Sequence, residues 1–150
     1  SSGRDAMKGW LLDTNVLSEL RRKTPSPAVV DFISAQPLDS LFVSEVTFAE
    51  IRFGIELVPE PTRRAELRQW LDHRLRPMFM HRVLAVTEDI LLQWRLIIET
   101  GRKAGHTFSH PDVLIAATAA QHGLAVVTRD PSDFVAAGVT TQNPWAAKVP

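Results

Sequence analysis

Apolar residues along the chain fall into two alternating kinds of run. Trp10-Leu11-Leu12, Leu41-Phe42-Val43, Val83-Leu84-Ala85-Val86 and Ala125-Val126-Val127 are continuous but too short for helices, the pattern of strands buried on both faces. Between them apolar residues recur at helical spacing. Strands are predicted at 8–12, 41–44, 83–86, 124–128 and 139–141. Thr14 or Asn15 can cap a first helix through Val16, Leu17 and Leu20, closed by the basic Arg21-Arg22-Lys23. Ser26-Pro27 opens a second, which stops before Pro37. Further helices are predicted over 46–57, 62–76, from Thr87 to about Gly101, from Pro111 to Gly123, and over 131–137. Strands alternating with helices imply one α/β domain with a parallel sheet of four to five strands and helices on both faces.

Composition bounds this picture. With 150 residues and 45% hydrophobic content, the chain suits one domain with a full core. Residues 1–6 are expected to be a leader ahead of a native start at Met7, leaving 7–150 as the domain. Net charge is zero, so nothing draws the whole molecule to a polyanion or a membrane. The absence of cysteine excludes disulfides, thiolate nucleophiles and zinc–sulfur sites. No apolar run approaches the roughly 20 residues of a membrane span, no signal peptide is visible, and a cytoplasmic location is expected.

The chemistry lies in the acids. Asp13 follows the first strand directly, and Asp130 follows the fourth by two residues. In a parallel sheet both belong to the C-terminal edge, where open α/β sheets bind ligands. Either alone also suits a turn or a helix cap. Glu50 shares a helical stripe with Val46, Phe53, Gly54 and Leu57, and a glutamate buried there would have to be paired, protonated or bound to a cation. Asp112 stands in the first turn of the nearly all-apolar helix Val113-Leu114-Ile115-Ala116-Ala117. Asp133, three residues beyond Asp130, could be the fourth member or join it. Two carboxylates about 4 Å apart repel by roughly 4 kcal/mol at an effective dielectric of 20, so such a group calls for a cation. Oxygen-only ligation selects Mg²⁺ or Mn²⁺. Ions of this kind activate water and brace the leaving oxygen in phosphodiester hydrolysis. The residues alone thus point to a metal-dependent phosphodiesterase or nuclease.

At these positions the chain resembles the PIN-domain ribonucleases, in particular the VapC-type toxins of bacterial toxin–antitoxin pairs and their FitB-like branch. The matching stretches are Leu12-Asp13-Thr14-Asn15-Val16-Leu17, Ser44 to Ile51 with Gly54, Asp112 to Ala119, and Thr128-Arg129-Asp130-Pro131-Ser132-Asp133-Phe134, with Asn143-Pro144-Trp145 as the family's usual ending. The resemblance implies that Asp13, Glu50, Asp112 and Asp130 form the acidic metal site, with Thr14, Asn15 and Thr128 as supporting polar groups. Many relatives have asparagine where Asp130 stands and an acid where Asp133 stands, so the share of each is open. It also implies a homodimer and a small cognate antitoxin that blocks the cleft, with DNA reached only through the antitoxin.

Other candidates are weaker. His106 and His110 have a helical metal spacing, but Gly105 and Pro111 predict a loop there. Trp70 and Trp94 lie on apolar stripes and are expected in the core or a dimer contact. Among the basic clusters, Arg21, Arg22 and Lys23 are the ones placed to steer RNA, because their helix starts beside Asp13. The expected function is an endoribonuclease toxin using a metal-activated water. The alternatives are an antitoxin-bound, DNA-associated regulatory module with little nuclease activity, and a nuclease of the same chemistry directed at DNA.

Overall fold

Residues 8–146 are described in the computed structural model of the chain, and the expected leader at 1–6 lies outside them. Five strands form one parallel sheet: β1 (Trp10–Leu12), β2 (Leu41–Ser44), β3 (Val83–Leu84), β4 (Ala125–Val127) and β5 (Thr141–Gln142), in the order β3-β2-β1-β4-β5. Helices α1 (Thr14–Arg21), α2 (Pro27–Ser34), α3 (Glu45–Glu56), α4 (Pro61–Trp70) and α5 (Arg76–Met78) connect the first three strands, with one π-helical segment, Leu71–Leu75, joining the last two. Helices α6 (Glu88–Lys103), α7 (His110–His122) and α8 (Ser132–Ala136) serve the other half.

The strands alternate between two cores. Leu12, Leu41, Val43 and Val127 pack with Val16, Leu17, Phe48, Ile51 and Leu67 on one face. Leu11 and Val126 point the other way, into Ile90, Ile97, Val113, Ile115 and Phe134. This period of two is why continuous apolar runs were needed: both faces are covered. The chain moves from β1 out to β3, then returns across β1 to β4. Right-handed crossovers put the helices of the two halves on opposite faces, opening a crevice at the carboxyl ends of β1 and β4.

Several expected boundaries shift, each for a local reason. The first strand begins at Trp10 rather than Lys8, the third ends at Leu84 rather than Val86, and the last pairs at Thr141–Gln142 rather than 139–141. The cap of α1 is neither Thr14 nor Asn15 but Asp13, whose carboxylate accepts the Thr14 N–H at 2.8 Å. The expected helix over 62–76 runs on to Met78 with its π-helical turn. Gly101 does not end α6, which continues to Lys103. It is buried because Phe108 lies where a side chain would be: a Cβ there would meet the Phe108 ring at 2.3 Å. Gly123, by contrast, does end α7, in the left-handed conformation at φ 68°.

Gly101, covered by Phe108, and Gly54, with nothing over it, give opposite expectations for replacement. Gly101→Ala forces the ring out and should cost about 1–3 kcal/mol. Gly54→Ala, with open space at its Cβ inside α3, should stabilise by about 0.5–1 kcal/mol. Urea unfolding of the two variants checks both.

Candidate active site

Asp13 occupies the switch point. Its N–H continues the sheet by donating to the Val127 carbonyl at 3.0 Å, so the residue is fixed by strand pairing before its side chain acts. The side chain is 6% exposed. One carboxylate oxygen caps α1, and the other accepts the Thr128 hydroxyl at 2.7 Å. Burial raises the Asp13 pKa, the Thr128 and Thr14 hydrogen bonds oppose the rise, and the charge of Asp130 adds to it.

Asn15 fastens the facing loop. Its amide donates to Asp130 Oδ2 at 3.3 Å and lies 3.5 Å from the Thr128 hydroxyl, and its carbonyl oxygen accepts the Arg129 N–H at 3.3 Å. Thr128 in turn accepts the Asp130 N–H at 3.1 Å. The segment after β4 is therefore held against the first turn of α1 by one amide and one hydroxyl.

The sheet edge opens as a cleft of about 570 Å³ lined by Asp13, Glu50, Asp112 and Asp130, with Arg21, Arg22 and Arg129 also on its wall. All four expected acids thus face one space. Asp112 enters from the first turn of α7. Its pKa is raised to about 6, first by burial, then by the charge of Asp13 and by its hydrogen bond and charge contact with Asp133. Asp133 is held differently. One oxygen lies 2.9 Å from His106 Nε2 and the other accepts the Ser109 N–H at 3.2 Å, and its pKa is lowered. Its burial works against that lowering, which comes from the hydrogen bonds, His106 first.

The donor set and its spacing bear on a metal in different ways. The acids are oxygen donors and raise one another's pKa, which fits a hard cation. Among the described residues, however, no three acid or histidine side chains stand close enough together to hold an ion as they are. Glu50 and Asp130 are exposed in the cleft lining, and Asn15 holds the Asp130 carboxylate there.

Glu50 does not lie on a buried apolar face of α3, contrary to expectation. Its supposed apolar stripe is not buried: Phe53 is 61% and Leu57 65% exposed, and α3 buries Thr47, Phe48, Ile51 and Ile55 instead. Glu50 is solvated, at the cleft rim. His106 pairs with Asp133 rather than with His110 and a metal. Of the basic triplet, Arg21 and Arg22 reach the cleft; Lys23 does not line it.

Glu19 and Arg129 line the cleft as well, beyond the residues expected there. Glu19 is 5% exposed, accepts the Ser26 N–H at 2.7 Å and pairs with Arg22 at 3.3 Å. Its only signal was a place one helical turn after Val16. Arg129 lies inside a stretch that matches the family, between Thr128 and Asp130.

Fold and site define an α/β protein with an acidic cleft at the carboxyl edge of a parallel sheet. Within that class, the chain belongs to the PIN domain family, whose model matches residues 10–138. It is 42% identical over 137 residues to the plasmid stability protein StbB of Pseudomonas syringae pv. tomato, across 91% of this chain and 99% of that one. It is 38% identical over 135 residues to the VapC ribonuclease Y4jK of Sinorhizobium fredii, across 90% and 96%. Among solved structures, FitAcB from Neisseria gonorrhoeae aligns with a TM-score of 0.87 at 36% identity over 92% of this chain and 99% of that one. FitAB bound to an IR36 DNA fragment aligns at 0.86 and 34% identity, over 93% and 98%. The expected family resemblance and fold class are borne out.

The raised pKa of Asp112 carries a pH signature. A carboxyl that binds its proton more tightly when folded stabilises the fold at low pH, and that contribution is lost as pH rises through about 6. In EDTA, Asp112→Asn should therefore be more stable than wild type at pH 7.5, by about 1 kcal/mol once solvent screening of this half-exposed group is counted. The advantage should shrink below pH 6 and vanish near pH 4. Thermal melts across that range measure it.

Proposed function

We propose that the protein is a metal-dependent endoribonuclease, the toxin of a toxin–antitoxin pair. The observation that carries this reading is the convergence of Asp13, Asp112, Asp130 and Glu50 on one cleft at the sheet's switch point. The ribonuclease name of a relative 38% identical over nine-tenths of the chain supports the substrate class.

In this reading Asp13, Asp112 and Asp130 would hold Mg²⁺ or Mn²⁺, with Glu50 completing the set. Such an ion, when bound, supplies a water of lowered pKa and neutralises charge on the phosphate. The protein's own groups do the rest. Thr128 and the Thr14 N–H keep Asp13 aimed into the cleft. Asn15 keeps Asp130 beside it. Arg21 and Arg22, on the same wall, meet the incoming backbone. Asp133, engaged by His106 and Ser109, positions Asp112 rather than acting as the fourth ligand. No side-chain nucleophile is needed. The family's homodimer and small antitoxin remain part of the proposal, and among the described residues no helix is long and apolar enough to cross a membrane.

A second reading has one observation behind it: the solved FitAB, 34% identical to this chain, is bound to DNA. On that reading the cleft is chiefly a docking socket for the antitoxin, and the pair acts as a DNA-bound regulator.

Cleavage of a mixed RNA pool by the purified protein separates the two. On the ribonuclease reading, Mn²⁺ or Mg²⁺ supports cleavage, EDTA abolishes it, and Asp13→Asn reduces it to background with the thermal midpoint kept or raised. Asparagine can still cap α1 while removing a desolvated charge. Cleavage surviving both EDTA and the substitution would overturn the mechanism. Failure to cut any RNA, together with operator binding in the partner's presence, would favour the second reading.

A further inference from the structure

The acid cleft has a neighbour. A second cavity of about 640 Å³ lies between α2 and the segment around β5, with Phe32, Gln36, Gln142, Asn143 and Trp145 in its wall. Its volume is in the range of small-molecule sites, roughly 300–1,000 Å³. Arg129 joins the two spaces. It lines the acid cleft, and its guanidinium carbon stands 5.2 Å from the centre of the Trp145 ring.

The arrangement is held from several sides. Asn15 accepts the Arg129 N–H at 3.3 Å, and Asn143 donates to the Arg129 carbonyl at 3.4 Å. Asn143 also accepts the Trp145 N–H at 2.9 Å. Backbone and ring are therefore kept in register. Yet among the described residues the Arg129 guanidinium makes no ion pair, although its cleft is lined with carboxylates. A guanidinium resting on an indole keeps its donor edge open, and five fixed donors suit a phosphate. Of the cavity's amides, Gln36 is committed to Trp10 and the Phe32 carbonyl, and Asn143 to the Arg129 loop. Gln142 is the wall amide without a partner among the described residues, and a side-chain amide can both donate to and accept from a base edge.

We propose that this cavity takes a base of single-stranded RNA next to the bond under attack, with Trp145 as its stacking wall and Arg129 gripping the intervening phosphate. The inference rests on the ribonuclease reading of the acid cleft and extends it to substrate selection. A strand whose reacting phosphate lies at Asp13 meets Arg129 on the way to the cavity. Stacking supplies sequence-tolerant affinity, and Gln142 supplies a preference among bases.

The test is anisotropy of labelled single-stranded RNA in EDTA over a salt series, with steady-state cleavage in Mn²⁺ alongside. Arg129→Ala should weaken binding about tenfold and lower the log–log salt slope by about one. In cleavage it should raise KM more than it lowers kcat. Arg129→Lys should recover only part of the affinity, because lysine lacks the planar stack. Trp145→Phe should keep most affinity, and Trp145→Ala should lose it. Gln142→Ala should change the ranking of homopolymers, and Mn²⁺ binding by calorimetry should match wild type in every variant. Wild-type affinity and slope in Arg129→Ala, with unchanged homopolymer ranking in Gln142→Ala, would overturn the proposal while wild-type cleavage leaves the ribonuclease reading standing. A wild-type protein that neither binds nor cuts RNA would overturn both. Loss of binding to a protein partner but not to RNA in Arg129→Ala would reassign the surface to that partner and also overturn the proposal.

Discussion

A carboxylate removed from water at the end of the central strand sets the terms for everything around it. Asp13 cannot move away from that position, because its own N–H is a rung of the sheet and its side chain caps the next helix. It is stabilised by one hydroxyl and one backbone N–H, which is less than water would offer a free carboxylate. Any further acid brought near raises the cost. The topology nevertheless brings three more to the same cleft. Selection for folding alone would favour asparagine or serine at such places, so the acids single out this cleft as the candidate site.

The cleft separates the groups that hold the geometry from the groups left open to a ligand. Thr128 and Asn15 are spent entirely on geometry, tying the loop after β4 to the start of α1. His106 and the Ser109 N–H do the same for Asp133, tying the first turn of α8 to the segment that leads into α7. The acids are exposed or only partly hydrogen-bonded, and the cations in the same cleft include Arg129, stacked on Trp145 without an acid partner among the described residues. Acids and unpaired guanidinium groups in one space would neutralise each other if geometry allowed. Here the Asn15 and Asn143 clamps fix the Arg129 backbone and the indole holds its side chain. That arrangement leaves both kinds of group available to a phosphate.

Much of this was legible in the chain as written. Short continuous apolar runs could be buried on both faces only in a parallel sheet, and the acids that follow such runs had to share its carboxyl edge. Asp13 and Asp130 became candidates by their place after a strand, and Asp112 only in company with the other acids. Glu50 was identified for a wrong reason: the stripe Val46, Phe53, Leu57 has helical spacing, but spacing does not say which side of a helix meets the core, and α3 turns Phe48, Ile51 and Ile55 inward instead.

What only the tertiary structure decided depends on neighbours distant in sequence. The cap of α1 could not be chosen among Asp13, Thr14 and Asn15 until Thr128, 115 residues away, fixed the orientation of Asp13. Gly101 reads as a helix stop until Phe108 folds back over it. Asp130 and Asp133 are equivalent in the sequence and are separated only by what touches them: Asn15 for one, His106 and Ser109 for the other. Periodicity determines which residues can share a face, a property of the backbone repeat. Which partners a charge finds is settled by packing between elements far apart in the chain, and no local pattern encodes it.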